Sequence, residues 1–175
     1  TSWFPFARFI AESGYKVLTF DFRGYGKSTG IKDTRMDRDL EAAIAYMRAK
    51  GAQQVVLIGA SMGGTAVIEL ASESQVQGVA ALSPPAEFGR INALTAVESM
   101  VIPLLLIVSE NDYQYYSDAR KIESAAAATQ FLVVEGQQHG TNMIAEHRNE
   151  IFANLLAFLD RWTDDRLLTT VQTES

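Results

Sequence analysis

The chain contains no cysteine. Disulfides, thiol nucleophiles and cysteine-based metal sites are therefore excluded, and the composition suits a reducing compartment. Histidine is almost as scarce, with only His139 and His147. A histidine-rich metal centre is not available, and neither a His-Glu-x-x-His pattern nor a calcium-loop pattern occurs. No apolar run reaches the roughly eighteen residues of a membrane span. The opening Thr1-Ser2-Trp3-Phe4 lacks the basic start and apolar stretch of a signal peptide. Basic charge is also short, with 15 Lys and Arg against 21 Asp and Glu and a net charge of -6. An acidic surface repels phosphate backbones. The expectation is a cytoplasmic protein with no nucleic-acid partner, no membrane contact, and no metal or organic cofactor.

What is present is the material of a globular domain. The 175 residues are 47% hydrophobic and 21% charged, enough for one domain with a real core. Five apolar runs punctuate the chain: Tyr15 to Phe20, Gln54 to Ile58, Val76 to Leu82, Ile102 to Ser109, and Phe131 to Val134. They show no polar alternation, which is the pattern of strands buried on both faces of a parallel sheet. Helical spacing fills the intervals, over Trp3 to Ser13, Asp37 to Lys50, Met62 to Ser72, Ser117 to Ala128, and Ile144 to Trp162. Alternating strands and helices predict an α/β fold with a mostly parallel, doubly wound sheet of about five strands and right-handed crossovers. One domain is expected over 1–162, followed by a polar tail from Thr163 to Ser175 that loses periodicity and reads as fraying.

Directly after the second run stands Gly59-Ala60-Ser61-Met62-Gly63-Gly64, a G-x-S-x-G pattern between a strand and a helix. A serine hydroxyl is a weak nucleophile, and must be presented to a base and to a carbonyl together. A tight strand-to-helix turn pushes its Oγ out over the sheet, and Gly59 and Gly63 let the backbone pass close to itself. The same turn aims the Met62 N–H at a developing oxyanion. The pattern therefore predicts Ser61 as a catalytic nucleophile with Met62 in the oxyanion hole. The remaining partners should follow in the order acid, then histidine. Asp112 comes after the strand ending at Val108, and His139 after the strand ending at Val134. Both fall on loops at the carboxyl edge of the sheet, where open α/β sheets bind ligands. Glu110 and Asp118 compete for the acid's role, although Asp118 is expected to open a helix as a cap. His147 sits inside a helical pattern and reads as a surface residue.

These residues resemble the α/β-hydrolase superfamily, and the resemblance covers nearly the whole chain. Asp21-Phe22-Arg23-Gly24-Tyr25-Gly26-Lys27-Ser28 is similar to the stretch following that family's fourth strand. Gly59 to Gly63 matches the nucleophile elbow after its fifth, with Asp112 and His139 at the places of its acid and histidine. The resemblance implies a serine hydrolase acting on carboxylic esters through an acyl-enzyme. Only about twenty residues separate Ser83 from Ile102, where capped members carry their cap. A lidless, dienelactone-hydrolase-like or small carboxylesterase member is thus implied, with small or flexible acyl substrates. Tyr25, Phe88, Tyr113, Tyr115 and Tyr116 are candidates for an apolar approach to the site.

The family's first three strands and its His-Gly oxyanion loop have no counterpart here. Its third strand lies between the fourth and the fifth, so a gap is expected beside the strand leading to Ser61. A longer chain, closure of the fourth strand onto the fifth, or a homodimer paired across the exposed sheet edge would each fill it. Thr1, Ser2 and Trp3 are candidates for a replacement N–H donor. A catalytically impaired hydrolase-fold fragment, or a non-enzymatic protein binding a ligand or partner, is the alternative function. Phosphate-binding readings fail on their own requirements. Asp21 stands where a P-loop needs glycine ahead of Gly26-Lys27-Ser28, and Ser61 replaces the glycine that lets a backbone approach a dinucleotide.

Overall fold

The computed structural model describes residues 3–32 and 36–163. Thr1, Ser2 and the tail from 164 onward, all invoked above, lie outside the described residues. The chain opens with helix α1 (Phe4–Glu12), which turns Phe6 and Ile10 inward. Pro5 sits in its first turn, where a missing N–H forfeits no intrahelical bond. Helix α2 (Met36–Ala49) carries Asp37 and Asp39 in its first turn and Arg48 in its last, which complements the helix dipole. Then follow β1 (Val56–Ala60), α3 (Met62–Glu73), β2 (Gly78–Leu82), the short β3 (Glu87–Phe88) and β4 (Ile91–Asn92), and α4 (Ala93–Ser99). The chain continues through β5 (Leu104–Ser109), α5 (Tyr113–Ala125), β6 (Thr129–Val134), a 3-10 turn at Gly140–Asn142, and α6 (Met143–Trp162).

Four strands form one parallel sheet in the order β1-β2-β5-β6. Their lack of polar alternation has a direct cause, because both faces are covered. Val79 and Ala81 of β2, with Leu104 and Leu106 of β5, face a core built with α2, α3 and α4. Ala80, Leu82, Leu105 and Ile107 face the opposite core, against α1 and α6. Helix α3 packs its apolar and small residues on the sheet, and Ile68 is completely buried.

The first expected strand differs. Lys16 to Phe20 belongs to no ladder, and Val17, Leu18 and Phe20 are 39%, 37% and 42% exposed. A slot of about 620 Å³ separates this segment from β1, lined on its two sides by Val17, Leu18 and Phe20 and by Val56 and Ile58. The segment has not closed onto β1, and the sheet has four described strands where five were expected. Both N–H and C=O of a residue in a parallel strand point to the same neighbour. Val55 accepts from Gln77, and Ser61 donates to Leu82. The alternate residues Val56, Ile58 and Ala60 therefore turn their backbone groups toward the slot.

Two further differences concern the helices. Residues 84–102 are not a plain connection, since they hold the β3–β4 hairpin and α4, whose cap is Asn92 accepting from Thr95 N at 3.0 Å. Helix α5 begins at Tyr113, four residues before the expected Ser117. Asp118 therefore does not open it. It lies in the second turn, buried, accepting from Ala86 N and Lys121. Among the described residues no helix is long and apolar enough to cross a membrane.

The loop after the slot is tied to α2. Arg23 donates through its backbone N and its guanidinium to Asp39, at 2.9 and 2.8 Å. That hydrogen-bonded guanidinium holds the Asp39 carboxyl below its ordinary value of 3.8. Within the loop, Lys27 N donates to the Asp21 carboxylate and Ser28 Oγ to the Asp21 carbonyl. A side chain at Gly26 would strike that carboxylate, and Gly26 takes a φ of +53°.

Candidate active site

Ser61 sits at the junction of β1 and α3 with φ +51° and ψ −128°. A non-glycine residue rarely takes a positive φ, and such strain concentrates at functional positions. Backbone hydrogen bonds hold it, including one from Thr65 N to Ser61 O at 3.2 Å. Ser61 N donates to Leu82 O at 2.8 Å, and Ser61 O accepts from Gly64 N at 2.8 Å. The turn is tight enough that a Cβ on Gly59 would lie 2.2 Å from the Gly63 carbonyl oxygen. Gly59 and Gly63 are thus brought face to face, although only Gly59 lacks room for a side chain. The Met62 N–H opens α3 and has no partner among the described residues, as expected for a first-turn amide. It is available to an incoming oxygen.

His139 follows β6 and brings its Nε2 within 2.8 Å of Ser61 Oγ. Its Nδ1 lies 2.9 Å from Asp112 Oδ2. A carboxylate only accepts, so Nδ1 carries the proton and Nε2 is left to accept from the serine hydroxyl. Asp112 is the residue immediately before α5, and its carboxylate is directed to the imidazole, making no cap bond to the helix. Its side chain is 10% exposed and that of His139 32%, so the acid is shielded while the imidazole reaches solvent. The ring of Tyr115, in the first turn of α5, packs on the imidazole with centroids 4.0 Å apart. An arrangement of this kind can pass a proton from the serine to the imidazole and stabilise the resulting charge.

The competitors lie elsewhere. Glu110 is exposed and contacts Asn111. His147 is half-buried in α6, its Nε2 2.8 Å from Glu135 O. Of the candidate aromatics, Tyr25 approaches the site, with its hydroxyl 3.6 Å from Met62 Sδ. Tyr116 packs on Phe131, Tyr113 is largely exposed, and Phe88 lies on β3. Trp3 heads α1 beside the slot. Among the described residues no group of three or more His, Asp or Glu side chains is placed to hold a metal ion.

Two residues went unnoticed in the sequence. Ser109 Oγ donates to Gln138 O at 2.7 Å, and Ser83 Oγ accepts from Gly140 N at 3.1 Å. Both serines are fully buried. The available signal was positional, because a serine ends or directly follows two of the apolar runs, Leu82-Ser83 and Val108-Ser109.

A family model described as the alpha/beta hydrolase fold matches residues 1–121. The uncharacterized protein YfhR of Escherichia coli is 29% identical over 82 residues, which is 45% of this chain and 29% of that protein. Bifunctional epoxide hydrolase 2 of Rattus norvegicus is 32% identical over 92 residues, 48% of this chain and 17% of that one. The chain thus spans less than a third of the length of either curated relative. Among solved structures, the esterase PF2001 of Pyrococcus furiosus superposes with a TM-score of 0.77 at 24% identity, covering 90% of this chain and 75% of that one.

Proposed function

The chain belongs to the alpha/beta hydrolase fold family, and on that premise we propose that it is a serine hydrolase cleaving carboxylic esters through Ser61, His139 and Asp112. The observation that carries the reading is the continuous relay from Ser61 Oγ through the imidazole to the buried Asp112, at 2.8 and 2.9 Å. Ser61 Oγ bonds to the ester carbonyl carbon as its proton passes to His139 Nε2. The carbonyl electron pair moves onto oxygen, where the Met62 N–H meets it. The intermediate collapses, the bond to the alcohol oxygen breaks, and the alcohol takes the proton from His139. Water then attacks the acyl-enzyme with His139 again as base, releasing the acid and restoring Ser61. Asp112 orients the imidazole and stabilises its charged form. The exposed imidazole edge favours small or flexible acyl groups that need no deep enclosure.

A fluorophosphonate probe tests this, because it reports an activated serine without requiring the right substrate. Intact mass should rise by one adduct, and the adduct should vanish in Ser61→Ala. His139→Gln should suppress it, while His147→Gln should label at the wild-type rate. Full labelling of Ser61→Ala would refute the assignment. The alternative, a hydrolase-fold protein that binds without turning over, draws on the slot beside β1 and on the single oxyanion N–H at the elbow. Lack of one such donor lowers kcat by about 10²–10³. Labelling with no hydrolysis of simple aryl esters would favour that reading.

A further inference from the structure

Ser61 stands beyond one edge strand of the sheet, and His139 follows the opposite edge strand. The loop from β6 must cross the ends of β5 and β2 to reach the nucleophile. It meets a serine at each. Ser109, the last residue of β5, donates to the carbonyl just before His139. Ser83, the residue after β2, accepts from the N–H just after it. Ser83 and Ser61 each stand one residue beyond the paired Leu82 and Ala60, and they are the two non-glycine residues with positive φ among those described, at +45° and +51°. Neither hydroxyl of Ser83 or Ser109 is used in the chemistry proposed above, yet both are buried polar groups at the ends of core strands, where an apolar residue would otherwise pack.

We propose that Ser83 and Ser109 are positioning residues that fix the peptides flanking His139 and thereby set the reach of its Nε2 to Ser61. The inference rests on the hydrolase reading for its consequence in rate, but not for its geometry. The Gly140 backbone, at φ +56°, lies against the elbow, since a Cβ there would come 3.7 Å from Ala60 Cβ and 3.8 Å from Ser61 Cβ. With both flanking peptides anchored on rigid strand ends, the imidazole has little freedom left beyond its own rotamer. A misplacement on the order of 1 Å at a reacting group lowers rate by about 10²-fold.

Ser83→Gly is the cleanest perturbation, because glycine accepts the left-handed φ without strain and removes only the acceptor for Gly140. Ser109→Ala removes the donor to Gln138. Each variant should react with fluorophosphonate ~10–10²-fold more slowly. On an aryl ester the loss should fall on kcat, with KM near wild type. In a His139→Ala background, Ser83→Gly should add no further loss, since its effect runs through the imidazole. Nitrogen-15 NMR of the histidine side chain gives a readout that needs no activity. The slowly exchanging Nδ1–H signal of the Asp112-bonded imidazole should be present in the wild type, and broadened or lost in both variants. Persistence of that signal with wild-type labelling in both variants would overturn the proposal. So would an undiminished Ser83→Gly effect without His139, or loss of the fold in both variants, which would make the serines core elements alone. If the wild type took no label, the hydrolase reading would fall, and the NMR comparison would still decide the positioning role.

Discussion

Replacing Gly59 by alanine should damage the protein far more than replacing Gly63, although the sequence pattern treats the two glycines alike. A Cβ at Gly59 would lie 2.2 Å from Gly63 O, 2.5 Å from Gly63 C and 2.8 Å from Gly64 N. Optimal separations are about 3.5 Å, so the overlap exceeds 1 Å by roughly 0.3 Å, and every colliding atom is backbone that no rotamer change can move. Overpacking commonly costs about 1–3 kcal/mol, and rigid neighbours place Gly59→Ala near 3 kcal/mol. For a domain of this size each kcal/mol lowers Tm by about 2–4 °C, which gives a drop of ~6–12 °C. The elbow must open to relieve the overlap, so fluorophosphonate labelling at Ser61 should be lost as well. At Gly63 an added Cβ meets only Phe22 Cε2, at 3.8 Å. There the gain of alanine over glycine inside a helix, roughly 0.5–1 kcal/mol, should raise Tm slightly and leave labelling intact. Thermal melts and labelling rates on the two variants decide the matter. If Gly59→Ala melts with the wild type, or if Gly63→Ala is the worse of the pair, the close-approach argument is wrong.

Other perturbations follow from the same geometry. Because Arg23 lowers the folded pKa of Asp39, the pair stabilises above the ordinary carboxylate range, and that contribution is lost as pH falls through the depressed value. The destabilisation by Asp39→Asn, measured in urea, should therefore be evident at pH 7 and shrink below about pH 3.8; an unchanged penalty in acid would contradict the assignment. The slot beside β1 makes an amide-level prediction. The Val56, Ile58 and Ala60 amides, which face it, should exchange hydrogen faster than those of Leu57 and Gly59, which face β2, and equal protection along the strand would mean that the edge is covered.

The sequence carried the fold where burial alone determines an element. The runs ending at Leu82 and Ser109 are dominated by apolar residues because each strand has a core on both faces, and that leaves a mark in composition. Lys16 to Phe20 brings Val17, Leu18 and Phe20 in a similar short run but has no ladder, because a strand exists through its partner, and a partner is not written in the run itself. The start of α5 was missed for a different reason. Tyr113-Gln114-Tyr115-Tyr116 has no helical periodicity of its own, and the helix gains its purchase on the protein later, through Ala119 and Ile122. The G-x-S-x-G turn and the order of acid and histidine pointed to Ser61, Asp112 and His139, and the structure brings these three side chains within hydrogen-bonding reach of one another. Ser83 and Ser109 were invisible by that logic, since a buried serine that bonds a neighbouring loop is distinguished only once the loop's path is known.

That path has a consequence for assembly. Ser61 and His139 lie 78 residues apart in the chain and belong to opposite margins of a four-stranded sheet, about 14 Å across at the usual strand spacing. The relay cannot close until every intervening strand has docked in register. On the hydrolase reading proposed above, a nascent or partly melted chain therefore holds an ordinary hydroxyl, and Ser61 gains its imidazole partner only with the finished sheet. Under the proposed function, covalent labelling at Ser61 would time the docking of the strands that lie between the two residues.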